Sequence, residues 1–135
     1  MNSMTVTAEE DNLDEVIDFI MDKLSDYELD EDIQMQLELA IEEIFMNIVS
    51  YAYNPNVGDA EVHVEVKENP LSVEIGFLDS GVPFNPLEQD ADTSKEALEE
   101  HEGGLGIHMV KKLMDSVAYT YEDGKNILWI KKRME

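Results

Sequence analysis

Two runs of strict alternation constrain this chain more than any other feature. Val62, Val64 and Val66 alternate with Glu61, His63, Glu65 and Lys67. After the turn signal Asn69-Pro70, Leu71, Val73, Ile75 and Phe77 alternate in the same way. Successive side chains on a strand point to opposite faces, so each run has one apolar and one polar side. Joined by a short turn they form a hairpin, and its apolar face has to be covered by a second layer. The cover precedes it in the chain. Glu9 to Ser25 places Leu13, Val16, Ile17, Ile20 and Leu24 on one helical face, with acids opening the first turn. A second helix, from about Glu31 to Tyr53, carries the stripe Ile33, Leu37, Ile41, Ile44, Ile48 and Ala52. Asn54-Pro55-Asn56 with Gly58 ends it.

Beyond the hairpin, Asp79-Ser80-Gly81-Val82-Pro83-Phe84-Asn85-Pro86 reads as a rigid, non-repetitive loop. Leu87 to Glu102 is polar and acidic, with the form of a lid or a plain loop. A third helix follows Gly103, and a last hairpin pairs Val117–Tyr121 with Ile127–Ile130 across Asp123-Gly124. Met4 to Ala8 is a short β-leaning segment suited to a sheet edge. No internal repeat or second domain is visible, so residues 1–135 are expected to form one domain. The expected class is α/β: a two-layer sandwich of a mostly antiparallel, mixed sheet with helices on one face.

The formal net charge is −23, from 9 basic against 32 acidic side chains. Much of that charge serves solubility. It also repels nucleic acid and anionic membranes and attracts a basic protein partner. A nucleoside triphosphate is opposed by the same field, so a site for one needs a divalent cation and oriented backbone donors. Hydrophobic residues make up 43%, enough to build a core despite the charge. There is no cysteine, which excludes a disulfide scaffold and thiol chemistry and agrees with the cytoplasm. Met1 to Val6 lacks the basic flank and apolar segment of a leader, and no later run is long enough to span a bilayer. A soluble cytoplasmic protein is the expectation.

Three stretches carry candidate chemistry. Glu102-Gly103-Gly104-Leu105-Gly106 opens a helix with Ile107, Val110, Leu113 and Met114 at helical spacing. Glycines let main-chain N–H groups approach a ligand without a Cβ in the way. A helix's first turn adds unpaired donors and the positive end of its dipole. This is the form of a phosphate site, although glycines before a helix are also ordinary turn punctuation. No Gly-Lys-Ser/Thr follows, which excludes a Walker loop. The missing third glycine and the acidic stretch in front fit a dinucleotide fingerprint poorly.

On the second helix Gln36, Glu43, Asn47 and Ser50 form a polar ridge beside the apolar stripe. Glu43 and Asn47 are four residues apart and point the same way. An amide oxygen can ligate magnesium, and a carboxylate one turn earlier can orient or deprotonate a nucleophile. A Glu/Asn pair on a solvated flank has the same spacing. Asp79 ends an apolar strand just before Gly81. Such a carboxylate can accept from an exocyclic amine with the base stacked close to the glycine, or simply cap an Asp-Ser-Gly turn. His101 and His108 are separated by glycines with no ligand cluster to complete them, so no metal other than magnesium is expected. Tyr51, Tyr53, Tyr119 and Tyr121 read as core and interface aromatics.

Taken in order, Glu43-x-x-x-Asn47, Asp79-x-Gly81-x-Pro83-Phe84-Asn85-Pro86 and Gly103-Gly104-x-Gly106 closely resemble the three nucleotide boxes of the gyrase, Hsp90, histidine-kinase and MutL ATPase superfamily. The Pro83-Phe84-Asn85-Pro86 run, Met114-Asp115-Ser116-Val117 and Gly124-x-Asn126-x-Leu128 are similar to its branch of anti-sigma factor serine/threonine kinases. The resemblance extends from Met4 to Lys132 and implies a histidine-kinase-like ATPase fold. It implies ATP and Mg²⁺ as cofactors, Glu43 as the base and Asn47 as the magnesium ligand. Asp79 would read adenine above Gly81, and Gly103, Gly104 and Gly106 would line the phosphates, with Gly104 and Gly106 offering their N–H groups. Leu87 to Glu102 would be the lid.

Three positions depart from the pattern. Glu102 stands where some anti-sigma kinases have an arginine, in a lid whose one lysine or arginine is Lys95. Tyr51 stands where relatives often show histidine, and Asn126 near a position beside the adenine aspartate that is often threonine, which leaves its role open. The implied function is an ATP-binding anti-sigma regulator with serine/threonine kinase activity. Its implied partners are a sigma factor and a STAS-type antagonist, with a homodimer compatible. The alternatives are a non-catalytic module whose partner surface is set by ATP, and a detached histidine-kinase domain, against which the Pro83-Phe84 loop argues.

Overall fold

A computed structural model describes residues 2–53, 56–88 and 102–134, with the backbone alone at 88 and 102–105. The elements follow in the order β1 (Asn2–Thr7), α1 (Leu13–Lys23), α2 (Glu31–Asn47), β2 (Asp59–Lys67), β3 (Ser72–Asp79), α3 (Glu102–Leu113), β4 (Ser116–Glu122) and β5 (Lys125–Arg133). The strands form one sheet, ordered β1-β2-β3-β5-β4, and every neighbouring pair is antiparallel. Residues 89–101 of the expected lid lie outside the described residues.

The alternation seen in the sequence sets the register. Val62, Phe77 and Leu128 lie side by side across β2, β3 and β5, and Val64, Ile75 and Ile130 form the next row. All six are buried, in one core with the inward residues of the three helices. Asp123 and Gly124 both have positive φ, at 53° and 78°, which is the tight hairpin turn that Asp-Gly favours.

The helix ends differ from the periodicity in informative ways. The first helix begins at Leu13 rather than Glu9, after a single 3₁₀ turn at Glu10–Asn12. There the Asn12 amide donates back to the Thr7 carbonyl at 2.8 Å, fixing the strand-to-helix corner. In α2, Asp30 caps the N-terminus by accepting from Asp32 N at 3.0 Å. The expected stripe is buried from Leu37 to Ala52, but Ala40 and Phe45 are buried with it. A helix set between a sheet and two neighbouring helices covers more than one stripe. Beyond Asn47 the helix widens into a π turn over Ile48–Ala52, a form often found at functional sites.

On the sheet face away from the helices, Trp129 lies across Gly76, where a Cβ would fall 2.8 Å from the indole. His63 stands on the other side of that glycine, its ring 6.4 Å from the tryptophan. Among the described residues no helix is long and apolar enough to cross a membrane.

Candidate functional site

The π turn and the loop after β3 are built against each other. Val82 N donates to the Ala52 carbonyl at 3.0 Å. A Cβ on Gly81 would sit 2.2 Å from that same carbonyl oxygen, so a glycine is required for the approach. Tyr53 adds a second tie. Its hydroxyl donates to the Asp59 carbonyl at 2.7 Å and accepts from Ser80 N at 2.8 Å. The end of α2, the start of β2 and the end of β3 are thereby fixed together.

These contacts leave a cleft between α2 and the sheet. Asn47, Tyr51 and Ala52 line one side, Asp79, Val82 and Phe84 the other, and Phe77 and Leu128 the floor. The walls are apolar apart from a few convergent polar groups, as small-molecule sites commonly are. Tyr51 and Phe84 face each other at the mouth with ring centroids 5.8 Å apart.

Asp79 is 8% exposed, and its polar contacts are one-sided. Gly81 N and Asn126 Nδ2 both donate to Oδ1, each at 2.9 Å. Among the described residues Oδ2 receives no hydrogen bond, so it can accept from an amine in the cleft. Burial pushes the Asp79 carboxyl above its ordinary value of 3.8, and the bonds from Asn126 and Gly81 oppose that shift in part. A carboxyl with a raised folded-state value favours folding at pH below 3.8, and loses that contribution as pH rises through the raised value. Ionised Asp79 is therefore a cost to the empty protein near neutrality. Asp79→Asn is expected to raise the melting temperature of the unliganded protein, by a margin that grows from about pH 4 towards pH 7. If Asp79 reads adenine as the resemblance implies, the same change should weaken ATP binding roughly ten- to hundredfold, through loss of one charge-assisted hydrogen bond. Parallel melts of both proteins across that range check the first part. A margin independent of pH would refute it.

The three stretches singled out in the sequence meet around α2. Asn47 shares the cleft with Asp79 and lies beside the π turn. Glu43, one turn earlier on α2, lies against α3: a Cβ on Gly106 would fall 1.8 Å from its carboxyl carbon, so that glycine lets the carboxylate rest there. Gly103 and Gly104 are already inside the first turn of α3, which begins at Glu102, instead of forming a loop ahead of it. Of the remaining ridge residues, Ser50 is exposed and Gln36 is half-buried.

Two participants were given no role from sequence, although the resemblance set Asn126 near Asp79. Asn126 sits in the buried row beside Asp79, and Tyr119 hydrogen-bonds to it. The signal for Asn126 was available: it occupies the inward phase of β5 shared with Leu128 and Ile130, where an unpaired amide would be costly.

A buried carboxylate with one open oxygen, a backbone approach that only glycine permits, and an amide and a carboxylate on one helix turn suit a nucleotide and a hard cation. The chain belongs to the histidine kinase-like ATPase domain family, whose description matches residues 6–132. It is similar to the serine-protein kinase RsbW of Bacillus thuringiensis (strain Al Hakam), with 34% identity over 100 residues, or 70% of this chain. That match spans 61% of the relative's own length. In fold the chain is similar to a chain in the crystal structure of the SiaB–SiaC complex from Pseudomonas aeruginosa. There the TM-score is 0.61 at 16% identity, covering 98% of this chain and 89% of that one. It is likewise similar to the Acinetobacter baumannii histidine kinase AdeS, with a TM-score of 0.55 at 14% identity, covering 100% and 70%.

Proposed function

We propose that this chain binds ATP with Mg²⁺ and acts as an anti-sigma regulator with serine/threonine kinase activity towards a STAS-type antagonist protein. A sigma factor is its other partner and the cytoplasm its location. The observation that carries the reading is Asn47 and Asp79 lining one cleft, with Glu43 one turn before Asn47 and against Gly106, in a chain similar to a serine-protein kinase. Bound Mg-ATP supplies the transferable phosphoryl group and the charge of the metal. Asp79 accepts from the 6-amino group of the base through Oδ2, with Gly81 beneath the ring. Asn47 offers its amide oxygen to the metal, and the first turn of α3, through Gly103, Gly104 and Gly106, gives the phosphates backbone donors. Glu43 takes the proton of the incoming hydroxyl at its carboxylate.

A second reading, an ATP-dependent binding module without turnover, draws support from the charge at the phosphate end. Phosphoryl transfer depends on positive charge around the moving group. Here Glu102 opens the helix, and Lys95 is the one lysine or arginine between Leu87 and Glu102. Incubation with purified antagonist and labelled ATP separates the two readings.

Magnesium dependence tests the binding step by itself. In a chain of net charge −23, ATP affinity should fall when the metal is chelated. Asn47→Ala should lower affinity in magnesium and leave little further loss on chelation. Equal affinity of the parent protein with and without chelator would sink this assignment.

A further inference from the structure

Asn126 is buried at the start of β5, in register with Asp79 on β3. Its neighbours in the inward phase, Leu128 and Ile130, are apolar, so an amide there has to be paired at every site to be tolerated. It is paired at every site. Nδ2 donates to Asp79 Oδ1 at 2.9 Å and to the Val82 carbonyl at 2.9 Å. Oδ1 accepts from Phe84 N at 3.1 Å and from the Tyr119 hydroxyl. An amide has two donor hydrogens and two acceptor lone pairs, and these four bonds use them all, with the Gly81 carbonyl a longer contact 3.5 Å from Nδ2.

Three consequences follow from that saturation. The amide has one orientation, because exchanging its oxygen and nitrogen would turn the oxygen on two acceptors and the N–H groups on the Phe84 N–H. Nothing is left to bond a ligand, so Asn126 acts only through what it holds. What it holds is both the Asp79 carboxylate and the segment carrying Val82 and Phe84, two walls of the cleft. With Gly81 N also on Oδ1, Asp79 is fixed at one oxygen and presents the other.

We propose that Asn126, oriented by Tyr119, is the positioning residue that sets base selectivity in this cleft, by holding Asp79 with a single oxygen open to a purine 6-amino group. The inference rests on the reading of Asp79 as the adenine contact. Freed from Asn126, the carboxylate can turn and take water on both oxygens, and the Val82–Phe84 wall loses two of its ties. Discrimination between a 6-amino and a 6-oxo purine then falls, while the distant phosphate contacts are untouched.

The experiment compares dissociation constants for ATP, inosine triphosphate and inorganic tripolyphosphate, all with magnesium, in the parent, Asn126→Ala and Tyr119→Phe. The parent is expected to prefer ATP to inosine triphosphate by roughly ten- to hundredfold, the value of a hydrogen bond to a charged group. Asn126→Ala should bring the ratio close to one, and Tyr119→Phe should reduce it several-fold, with tripolyphosphate bound as in the parent. A role confined to stability would lower all three affinities together and leave the ratio alone. If Asn126→Ala no longer binds tripolyphosphate, its fold is lost and Tyr119→Phe, which keeps the ring and both walls, decides. A parent that discriminates, beside folded variants that discriminate equally well, overturns the role of Asn126 and leaves Asp79 as the adenine contact. A parent indifferent to the 6-position overturns both.

Discussion

Glu43→Gln is expected to lower phosphoryl transfer to the antagonist by roughly 10²–10⁴ while ATP remains bound. Glutamine keeps the length of the side chain and a hydrogen-bonding oxygen but cannot take a proton. Glu43 stands one helical turn before Asn47 and rests against Gly106 of α3, between the proposed metal ligand and the proposed phosphate turn. From there a carboxylate can reach a hydroxyl arriving beside the terminal phosphate. The expected loss corresponds to about 3–5 kcal/mol of barrier, the ordinary contribution of a positioned general base. Binding should hold or tighten slightly, since one negative charge near the phosphates is removed. Single-turnover transfer from labelled ATP, measured beside a binding isotherm for each protein, is the check. A variant that transfers at the parental rate removes Glu43 from the chemistry. A parent that transfers nothing, yet binds its partner only with ATP, leaves the module reading in place of the kinase.

Gly81→Ala should damage both binding and stability. The added methyl would stand 2.2 Å from the Ala52 carbonyl oxygen, which is backbone and cannot swing aside as a flexible side chain can. The loop has to lift, breaking the Val82–Ala52 bond and disturbing the donation from Gly81 N to Asp79. Overpacking of this kind costs about 1–3 kcal/mol of folding stability. Loss of the bond to the carboxylate should weaken ATP roughly ten- to hundredfold. Ser80→Ala, one residue away at an exposed side chain, is the matched control, since it leaves the backbone approach of the loop to the π turn untouched. If Gly81→Ala binds ATP as tightly as Ser80→Ala, the close approach of loop and π turn is not needed for the site.

How far the sequence revealed this molecule depended on whether a feature repeats. The rows Val62–Phe77–Leu128 and Val64–Ile75–Ile130 follow from period-two alternation, and the α2 face from Leu37 to Ala52 follows from helical spacing. Both are sums over many residues, so they survive local noise. The Asp123-Gly124 turn was legible for a different reason, since two successive positive φ values leave few residue choices. Single contacts were not legible. Nothing in the spacing of Tyr53 says that its hydroxyl bridges the Asp59 carbonyl and Ser80 N, because the partners are set by how the layers stack. The π turn was hidden within an unbroken apolar stripe, since widening the helix by one residue barely disturbs the pattern. For the site, the three boxes could be placed by resemblance, which also set Asn126 near a position beside Asp79 with its role open, whereas the hydrogen bonds it makes there depend on the sheet register and the loop after β3.

The placement of Trp129 gives the protein a built-in optical label. It is the chain's one tryptophan, on the sheet face turned away from the helices, packed over Gly76 and beside His63. Indole emission responds to the polarity and the quenching groups around the ring. The intrinsic fluorescence of this chain therefore reports on the side of the sheet that the nucleotide cleft does not use. A protein that settled on that outer side would be seen directly, without a dye and without altering a residue.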